Sequence, residues 1–282
     1  MPSPNNGIHL LVGCDPEVFL TRKADKALVS AHSLLPGTKD MPYGIQNGAV
    51  QVDGVAAEFN ITPAPSGDHF YAYVSSVMQQ MKDMLPDHTL RIEPAVVFDE
   101  DYFMTIPEES RVLGCNPDWN AWTETINPAP DGNGTTMRTA SGHLHIGWTK
   151  NQDINDPVHQ QDCFRVVRQM DYYLGMYSLL WDTDSRRRNL YGKAGSCRIK
   201  PYGTEYRALS NMWLRHPNLW PWIWGACYQA VNGLVSGSSV YMPDEFGDLA
   251  RKTIDDNNFQ FVTTNEFKKQ IHPKMGLQWP TW

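Results

Sequence analysis

Several long segments of the chain carry apolar residues at helical spacing. In residues 69–85, Phe70, Val74, Val77 and Met81 follow one another at intervals of three or four positions. Side chains at that spacing lie on one side of a helix, so the pattern predicts an amphipathic helix with a buried apolar side. Helices are predicted in the same way over residues 157–181, over a tryptophan-rich segment that ends near residue 235, and in the tail beyond residue 243.

Strands are predicted where short apolar runs end at glycine, proline or asparagine. These runs cover residues 8–20, 49–61, 90–98 and 140–150. Asp53 and Gly54 interrupt the second run and are typical of a hairpin turn, so this run predicts two paired strands. Pro16 interrupts the first run. Because proline cannot donate a hydrogen bond to a neighbouring strand, we expect an edge or a bulge at that position.

Residues 186–211, RRRNLYGKAGSCRIKPYGTEYRALSN, combine cationic side chains with glycine turns. Side chains alternate along a strand, so Glu205 and Arg207 are predicted to face the same side. This pair is suited to hold a metal ion beside a phosphate, because Mg²⁺ prefers carboxylate oxygens and arginine binds phosphate through paired hydrogen bonds. The chain has no glycine-rich phosphate loop, so phosphate binding would depend on metal ions and basic residues. The basic candidates are Arg138, Arg186, Lys193, Arg198, Lys200 and Arg207.

Other predicted strands carry further candidate metal ligands. Asp15 and Glu17 share one face of the first strand, and His143 and His145 share one face of residues 140–150. Glu58 lies in an apolar strand, where a carboxylate is rarely buried without a cation or another partner. The alternative interpretations are an acidic turn at residues 15–17, an exposed glutamate at position 58, and histidines that serve only as hydrogen-bond partners.

Composition narrows the class of protein. The formal net charge is -7, from 24 Lys and Arg against 31 Asp and Glu, which argues against a broad nucleic-acid-binding surface. The 5 cysteines are widely spaced and form no Cys-x-x-Cys pair, so we expect neither a disulfide framework nor a zinc knuckle, and a reducing cytoplasm fits best. The first residues lack the basic start of a signal peptide, and no apolar run is long enough to span a membrane, so we expect no membrane partner.

Four motifs together resemble the phage-associated, phiEco32-like carboxylate–amine ligases of type 2, which belong to the glutamine synthetase and glutamate–cysteine ligase superfamily. They are GCDPEVF at residues 13–19, GCNPDWNAW at 114–122, SGHLHIGW at 141–148 and KPYGTEYRALSN at 200–211. The resemblance implies an α+β fold like the glutamine synthetase catalytic domain, in which a curved antiparallel sheet carries helices on its outer face and the active site on its concave face. We expect one domain over residues 1–282, with a core at 8–235 and a C-terminal extension at 236–282.

The resemblance also implies roles for individual residues. The implied metal ligands are Asp15, Glu17, Glu58, Glu205 and one or both of His143 and His145. Arg207 resembles the arginine that stabilises the transferred phosphate, and Glu205 resembles the last metal ligand. Asp118 or Asp53 resembles the remaining acid, which would accept a proton from the amine substrate. The number of metal ions stays open.

The implied reaction is amide formation that consumes ATP and requires Mg²⁺ or Mn²⁺. A substrate carboxylate would attack the γ-phosphate to give an acyl phosphate, and an amine would displace the phosphate. The carboxylate and amine substrates are expected to be small molecules or peptides. The sequence of the candidate substrate loop at residues 128–134 does not identify them. Two alternatives are a guanidino-kinase-like phosphotransferase and a phage binding protein without turnover. The oligomeric state is not predicted.

Overall fold

The computed structural model describes residues 9–112, 118–129, 134–237 and 240–281, and in this part of the chain 14 strands form antiparallel sheets. The strands are β1 (Leu11–Cys14), β2 (Glu17–Arg22), β3 (Leu28–Val29), β4 (Tyr43–Ile45), β5 (Gly48–Asp53), β6 (Ala56–Ile61), β7 (His88–Arg91), β8 (Ala95–Val97), β9 (Trp119–Asn120), β10 (Thr125–Ile126), β11 (Met137–Thr139), β12 (Leu144–Gly147), β13 (Ser196–Lys200) and β14 (Gly203–Tyr206). The first sheet has the order β1-β12-β14-β13-β9-β10, and the second has the order β3-β2-β6-β5-β4 with β7 also paired to β2. Strands β8 and β11 pair with each other. The sheets curl around one face of the molecule.

The chain passes from the first sheet to the second at Asp15 and Pro16. Strand β1 pairs with β12, whereas β2 pairs with β6, so the predicted single strand over residues 8–20 is wrong. The physical reason is the proline, which lacks the amide hydrogen that a continuous strand would use. The expected break in pairing does lie at this point. The predicted strand over residues 90–98 is likewise split, into β7 and β8, with Pro94 between them.

The long helices follow the predicted periodicity closely, whereas several short helices were not predicted. They are α1 (Gly67–Met84), α2 (Glu100–Thr105), α3 (Glu108–Arg111), α4 (Pro157–Met170), α5 (Met176–Ser178), α6 (Ser185–Leu190), α7 (Leu219–Ser236), α8 (Met242–Phe246), α9 (Leu249–Asp255) and α10 (Phe259–Thr263). A π-helical turn at Asp171–Gly175 joins α4 to α5, and a second π-helical turn covers Phe267–Ile271. Two 3-10 helices cover Asn211–Arg215 and His272–Met275.

Helix α6 differs from the prediction, which places the arginine-rich residues among glycine turns. The Asp184 side chain accepts a hydrogen bond from the backbone N–H of Arg186 at 2.9 Å and so caps the helix. The hairpin between β5 and β6 agrees with its prediction: Asp53 lies opposite Ala56, and Gly54 has a φ of 57° that favours glycine.

Helices α1 and α4 cover one face of the two sheets, which we call the back face. Helix α1 contacts β5 and β6, and helix α4 contacts β13 and β14. The buried apolar side chains between these layers belong to one large core cluster, which extends from Leu10 to Met275. Residues of the predicted C-terminal extension, such as Phe267 and Ile271, pack into that same core. The opposite face, the front face, carries the polar residues described below.

In the part of the chain that the structure describes, none of the helices combines the length and the apolar character needed to cross a lipid bilayer.

Candidate active site

Charged side chains form a row along neighbouring strands of the front face. In the register of β12, β14 and β13, His145 lies opposite Glu205, and Glu205 lies opposite Arg198. Tyr206, between Glu205 and Arg207, packs into the core on the back face. Glu205 and Arg207 therefore share the front face, and their carboxylate and guanidinium groups are in contact. This confirms the prediction from strand alternation.

Asp15, at the junction between the two sheets, contacts both histidines. Its Oδ2 lies 3.1 Å from Nε2 of His145, and its Oδ1 lies 3.5 Å from Nδ1 of His143. The same nitrogen of His143 lies 3.5 Å from Oε1 of Glu205. The two histidines thus share a face, as predicted. We call Asp15, His143, His145 and Glu205 the acid–histidine cluster.

The acid–histidine cluster holds its carboxylates in the charged form. Burial and the neighbouring Asp15 act to raise the pKa of Glu205, but Arg207 and the two histidines outweigh them and lower that pKa to about 2. Burial also acts to raise the pKa of Asp15, yet the histidines hold it well below its usual range. Burial and Arg207 lower the pKa of His143 to about 4, so this ring is neutral at pH 7.

Glu17 and Glu58 form a second pair of acids on the front face, directly opposite each other on β2 and β6. One oxygen of Glu17 accepts a hydrogen bond from the Ser141 backbone N–H at 2.8 Å, and Glu58 accepts one from Nε2 of Gln51 at 2.7 Å. Burial, followed by the charge of nearby acids, raises the pKa of Glu17 to about 7 and raises that of Glu58 as well. A cation between these carboxyl groups would favour their charged form.

The two candidate proton acceptors, Asp118 and Asp53, are both paired with cations. Oδ2 of Asp118 lies 3.0 Å from Nε of Arg207, and its Oδ1 accepts a hydrogen bond from Asn127. Oδ2 of Asp53 lies 2.9 Å from Nζ of Lys39. Four residues of the motif before Asp118, at positions 114–117, lie outside the described residues, as does most of the loop at 128–134.

Two cavities flank the acid–histidine cluster. The large cleft has a volume of about 830 Å³, within the usual range for small-molecule sites. The small pocket has a volume of about 70 Å³. Residues of the large cleft include Asp15, Lys39, Gln51, Glu58, Asn60, His145, Trp148, Lys150, Arg198, Lys200, Tyr202 and Glu205. Residues of the small pocket include Glu17, Asp53, Asp118, Arg138, Ser141, His143, Arg187, Tyr191 and Arg207.

The structure brings four of the six predicted phosphate-binding cations to these cavities. Nζ of Lys200 lies 3.0 Å from Oε2 of Glu205, and Arg198 lies 3.7 Å from Oε1, both in the large cleft. Arg138 and Arg207 lie in the small pocket. Their roles stay predictions.

The other two predicted cations, Arg186 and Lys193, line neither cavity. The guanidinium of Arg186 is held by the Asp184 carboxylate at 2.6 Å and by the Ala95 carbonyl oxygen at 3.0 Å. Lys193 is exposed in the loop between α6 and β13. Both side chains are cationic, as expected, but they lie away from the two cavities.

The sequence did not single out three residues that the structure places at the site. Arg187 is buried at the small pocket, where it donates to the carbonyl oxygens of Ala208 and Arg207. The hydroxyl of Tyr202 is hydrogen-bonded to Nδ1 of His145, which leaves Nε2 of that ring toward Asp15. Ser141 lines the small pocket. Tyr202 could have been found as the aromatic residue in the turn that returns β13 to β14.

Three side chains of the acid–histidine cluster fit a divalent metal ion. Asp15, His145 and Glu205 each offer a ligand atom, and these atoms lie within 4.8 Å of one another. Oδ1 of Asp15 is buried and has no hydrogen-bond partner among the residues that the structure describes. A set of two carboxylates and one imidazole suits Mn²⁺ and other transition metals as well as Mg²⁺.

Comparison with known proteins identifies a family for part of the chain. Residues 140–223 match the model of the phage phiEco32-like COOH-NH2 ligase type 2 family. The matched segment contains His143, His145, Glu205 and Arg207, whereas Asp15 lies before it. No curated protein matches the sequence. The match confirms the predicted family resemblance over that segment.

Proposed function

We propose that this chain is an ATP- and Mg²⁺-dependent carboxylate–amine ligase that forms an amide bond through an acyl phosphate. The observation that carries the proposal is the acid–histidine cluster, in which carboxylates for a metal ion lie beside Arg207, Lys200 and Arg198. Cations and metal ligands on one face are what a transferred phosphoryl group requires, because charge develops on its oxygens. The family match over residues 140–223 supports the same activity.

The large cleft is the proposed nucleotide site. Its volume of about 830 Å³ suits a nucleotide, and Lys150, Arg198 and Lys200 would contact the phosphates. Trp148 and Tyr202 line the same cleft and offer aromatic surface for a base. Asp15, His145 and Glu205 would hold the metal ion, which supplies positive charge to the phosphate oxygens when it is bound.

The reaction proceeds in two steps. A carboxylate oxygen of the first substrate attacks the γ-phosphorus, and the bond to ADP breaks. The amine nitrogen then attacks the acyl carbon, the bond from that carbon to phosphate breaks, and one proton leaves the nitrogen. Arg207 stabilises the transferred phosphate in this proposal, and Asp118 or Asp53 accepts the proton. The proposed amine and carboxylate substrates are small molecules or peptides, and we propose neither a nucleic-acid nor a membrane partner.

The remaining parts of the proposal concern fold and location. We propose a single domain with a glutamine synthetase-like arrangement of sheet and site. Helices α1 and α4 on the back face and the site on the front face support this arrangement. We also propose a cytoplasmic location, in the host cell if a phage encodes the chain. Free thiols at Cys14, Cys163, Cys197 and Cys227 support a reducing compartment.

The test is an assay of phosphate release from ATP and Mg²⁺ with pools of carboxylates and amines, followed by mass spectrometry. ADP together with a product that has lost one water establishes a ligase. ADP together with a phosphorylated product establishes a kinase and overturns the proposal. Nucleotide binding without any turnover favours a binding protein.

Arg207→Ala tests the proposed role of the arginine. We expect turnover to fall about a hundredfold or more, because a donor to the developing charge is lost. Arg186→Ala, which removes an exposed guanidinium outside both cavities, is the matched control and should keep wild-type turnover. Circular dichroism would verify that both variants fold. A folded Arg207→Ala variant with wild-type turnover contradicts the assignment.

A further inference from the structure

The small pocket contains buried donors without partners. Oγ of Ser141 and Nε of Arg138 have no hydrogen-bond partner among the described residues, and these residues are only 5% and 6% exposed. The other guanidinium nitrogens of Arg138 donate to the carbonyl oxygens of Thr135, Met137 and Arg111. A buried donor without a partner destabilises a protein, because its hydrogen bonds to water are lost and not replaced. Both residues line the same pocket, so they favour a ligand with acceptor oxygens.

Carboxylates line the same pocket. Glu17 uses Oε2 to accept the Ser141 backbone N–H, and Asp53 uses Oδ2 to contact Lys39. Each side chain has a second carboxylate oxygen that can accept a hydrogen bond from a ligand. An ammonium group has three donors and matches such a pair. The pocket therefore offers donors for an anion and acceptors for a cation within one small space.

The size of the small pocket limits the ligand. Its volume is about 70 Å³, compared with about 830 Å³ for the large cleft. The smaller volume favours a small charged head group over a nucleotide. His143 and Arg207 also line the pocket, so a head group bound there lies beside the acid–histidine cluster.

We propose that the small pocket binds the head group of a free α-amino acid, which serves as the amine substrate. The carboxylate would accept hydrogen bonds from Ser141 and Arg138, and the ammonium would donate to Glu17 and Asp53. The side chain of the amino acid would extend out of the pocket. The role of the amino acid as a substrate rests on the proposed ligase activity, whereas its binding to the pocket requires no turnover.

The first test uses the unmodified full chain. The twenty standard amino acids are titrated by calorimetry in the presence of Mg²⁺ and a non-hydrolysable ATP analogue. The amide and the N-acetyl derivative of the best binder are then compared with it. We expect each derivative to bind at least tenfold more weakly, because one removes the carboxylate and the other removes the ammonium.

Two variants test the assigned contacts. Ser141→Ala should weaken amino-acid binding by about three- to tenfold and leave the affinity for the ATP analogue unchanged. Asp53→Asn should weaken amino-acid binding to a similar extent. Ser75→Ala, on helix α1 behind the sheet, is the matched serine control and should bind the amino acid like the wild type. The derivative series in the wild-type chain keeps the proposal testable if a variant does not fold.

The results separate this inference from the proposed function. Equal affinity for the amino acid and its N-acetyl derivative or amide overturns the head-group proposal. Absence of amino-acid binding while the ATP analogue binds also overturns it. Amide formation with amines that lack a carboxylate, at the same efficiency, overturns it and leaves the ligase standing. Selective binding of the amino acid without ADP formation supports the pocket and removes the ligase.

Discussion

A buried carboxyl group lies on each face of the sheet at β14, Glu205 on the front face and Asp171 on the back face, and the two groups have different partners. On the front face, Glu205 lies against Arg207 and Lys200, and its pKa is lowered to about 2. On the back face, Asp171 accepts hydrogen bonds from the indole N–H of Trp122 at 2.6 Å and from the hydroxyl of Tyr206 at 2.7 Å. Burial raises the pKa of Asp171 to about 7 despite these bonds.

The difference lies in the charge of the partners, since both carboxyl groups are almost fully buried. Cationic partners keep a buried carboxylate charged, whereas neutral donors do not fully offset the cost of burying its charge. A charged carboxylate among cations, such as Glu205, is suited to binding and catalysis. A carboxyl group among neutral donors, such as Asp171, connects β14 to the helical layer and is suited to stabilising the fold. The following predictions test that division.

The largest effect is expected for Glu205→Gln. The change removes a candidate metal ligand and the anion that Arg207 and Lys200 contact, so turnover should fall about a hundredfold or more. Mn²⁺ affinity, measured by electron paramagnetic resonance, should fall as well. Glu93→Gln, on the outer surface near Arg91, is the control and should change neither quantity. Wild-type Mn²⁺ affinity in a folded Glu205→Gln variant argues against Glu205 as a ligand.

A smaller and different effect is expected for Asp171→Asn. The amide nitrogen cannot accept a hydrogen bond, whereas both oxygens of the protonated carboxyl group can. One of the two donors to Asp171 therefore loses its acceptor, and the free energy of unfolding should fall by about 1 to 3 kcal/mol at pH 4.5. Turnover should stay within about threefold of the wild-type value, because Asp171 lies behind the sheet. Urea unfolding and the phosphate-release assay measure the two quantities. A folded variant that loses turnover as Glu205→Gln does would remove the distinction between the faces.

The same variant predicts a pH dependence with a definite sign. The pKa of Asp171 is raised, so the folded protein retains a proton that the unfolded chain releases above about pH 4. The contribution to stability is complete below that pH and is lost as the pH rises through about 7. The stability advantage of the wild type over Asp171→Asn should therefore decrease from pH 4.5 to pH 8. A difference that grows with pH contradicts the raised pKa.

The smallest effect is expected for Tyr206→Phe. The variant removes one donor to Asp171 and should lower the free energy of unfolding by about 1 kcal/mol at pH 7. Turnover should change by less than about twofold, although Tyr206 adjoins Glu205 in the chain. Urea unfolding and the activity assay at one pH are sufficient. A large loss of turnover would show that the back face positions the site more strongly than this comparison implies.

Alternation and helical periodicity predicted the local parts of the fold and site. They placed Glu205 with Arg207 and His143 with His145, because the side-chain period of a strand is fixed by its backbone. They also located helix α1 and the hairpin at Asp53, where the local pattern is strong. These features depend on residues that are close in the sequence.

Features that depend on distant contacts could not be predicted in this way. Three consecutive arginines at residues 186–188 have no apolar periodicity, so nothing local shows that Arg187 lies at the pocket while Arg186 lies outside it. The division of residues 8–20 between two sheets depends on pairing with β12 and β6, which lie far along the chain. The buried Asp171 at the π-helical turn is a further case, because its partners Trp122 and Tyr206 come from other elements.

The junction at Pro16 has a consequence for mechanical coupling. Asp15 is the residue at which the chain leaves one sheet for the other, while Glu205 belongs to the first sheet and Glu58 to the second. A cation held by Glu205 and by Asp15 at the junction would act as a cross-link between the first sheet and the start of the second, and would limit their relative motion. Amide hydrogen exchange in β6 and β14 would then slow together when the metal ion binds, although the two strands share no backbone hydrogen bond. Ligand binding at this junction would thus stiffen the sheets as a unit.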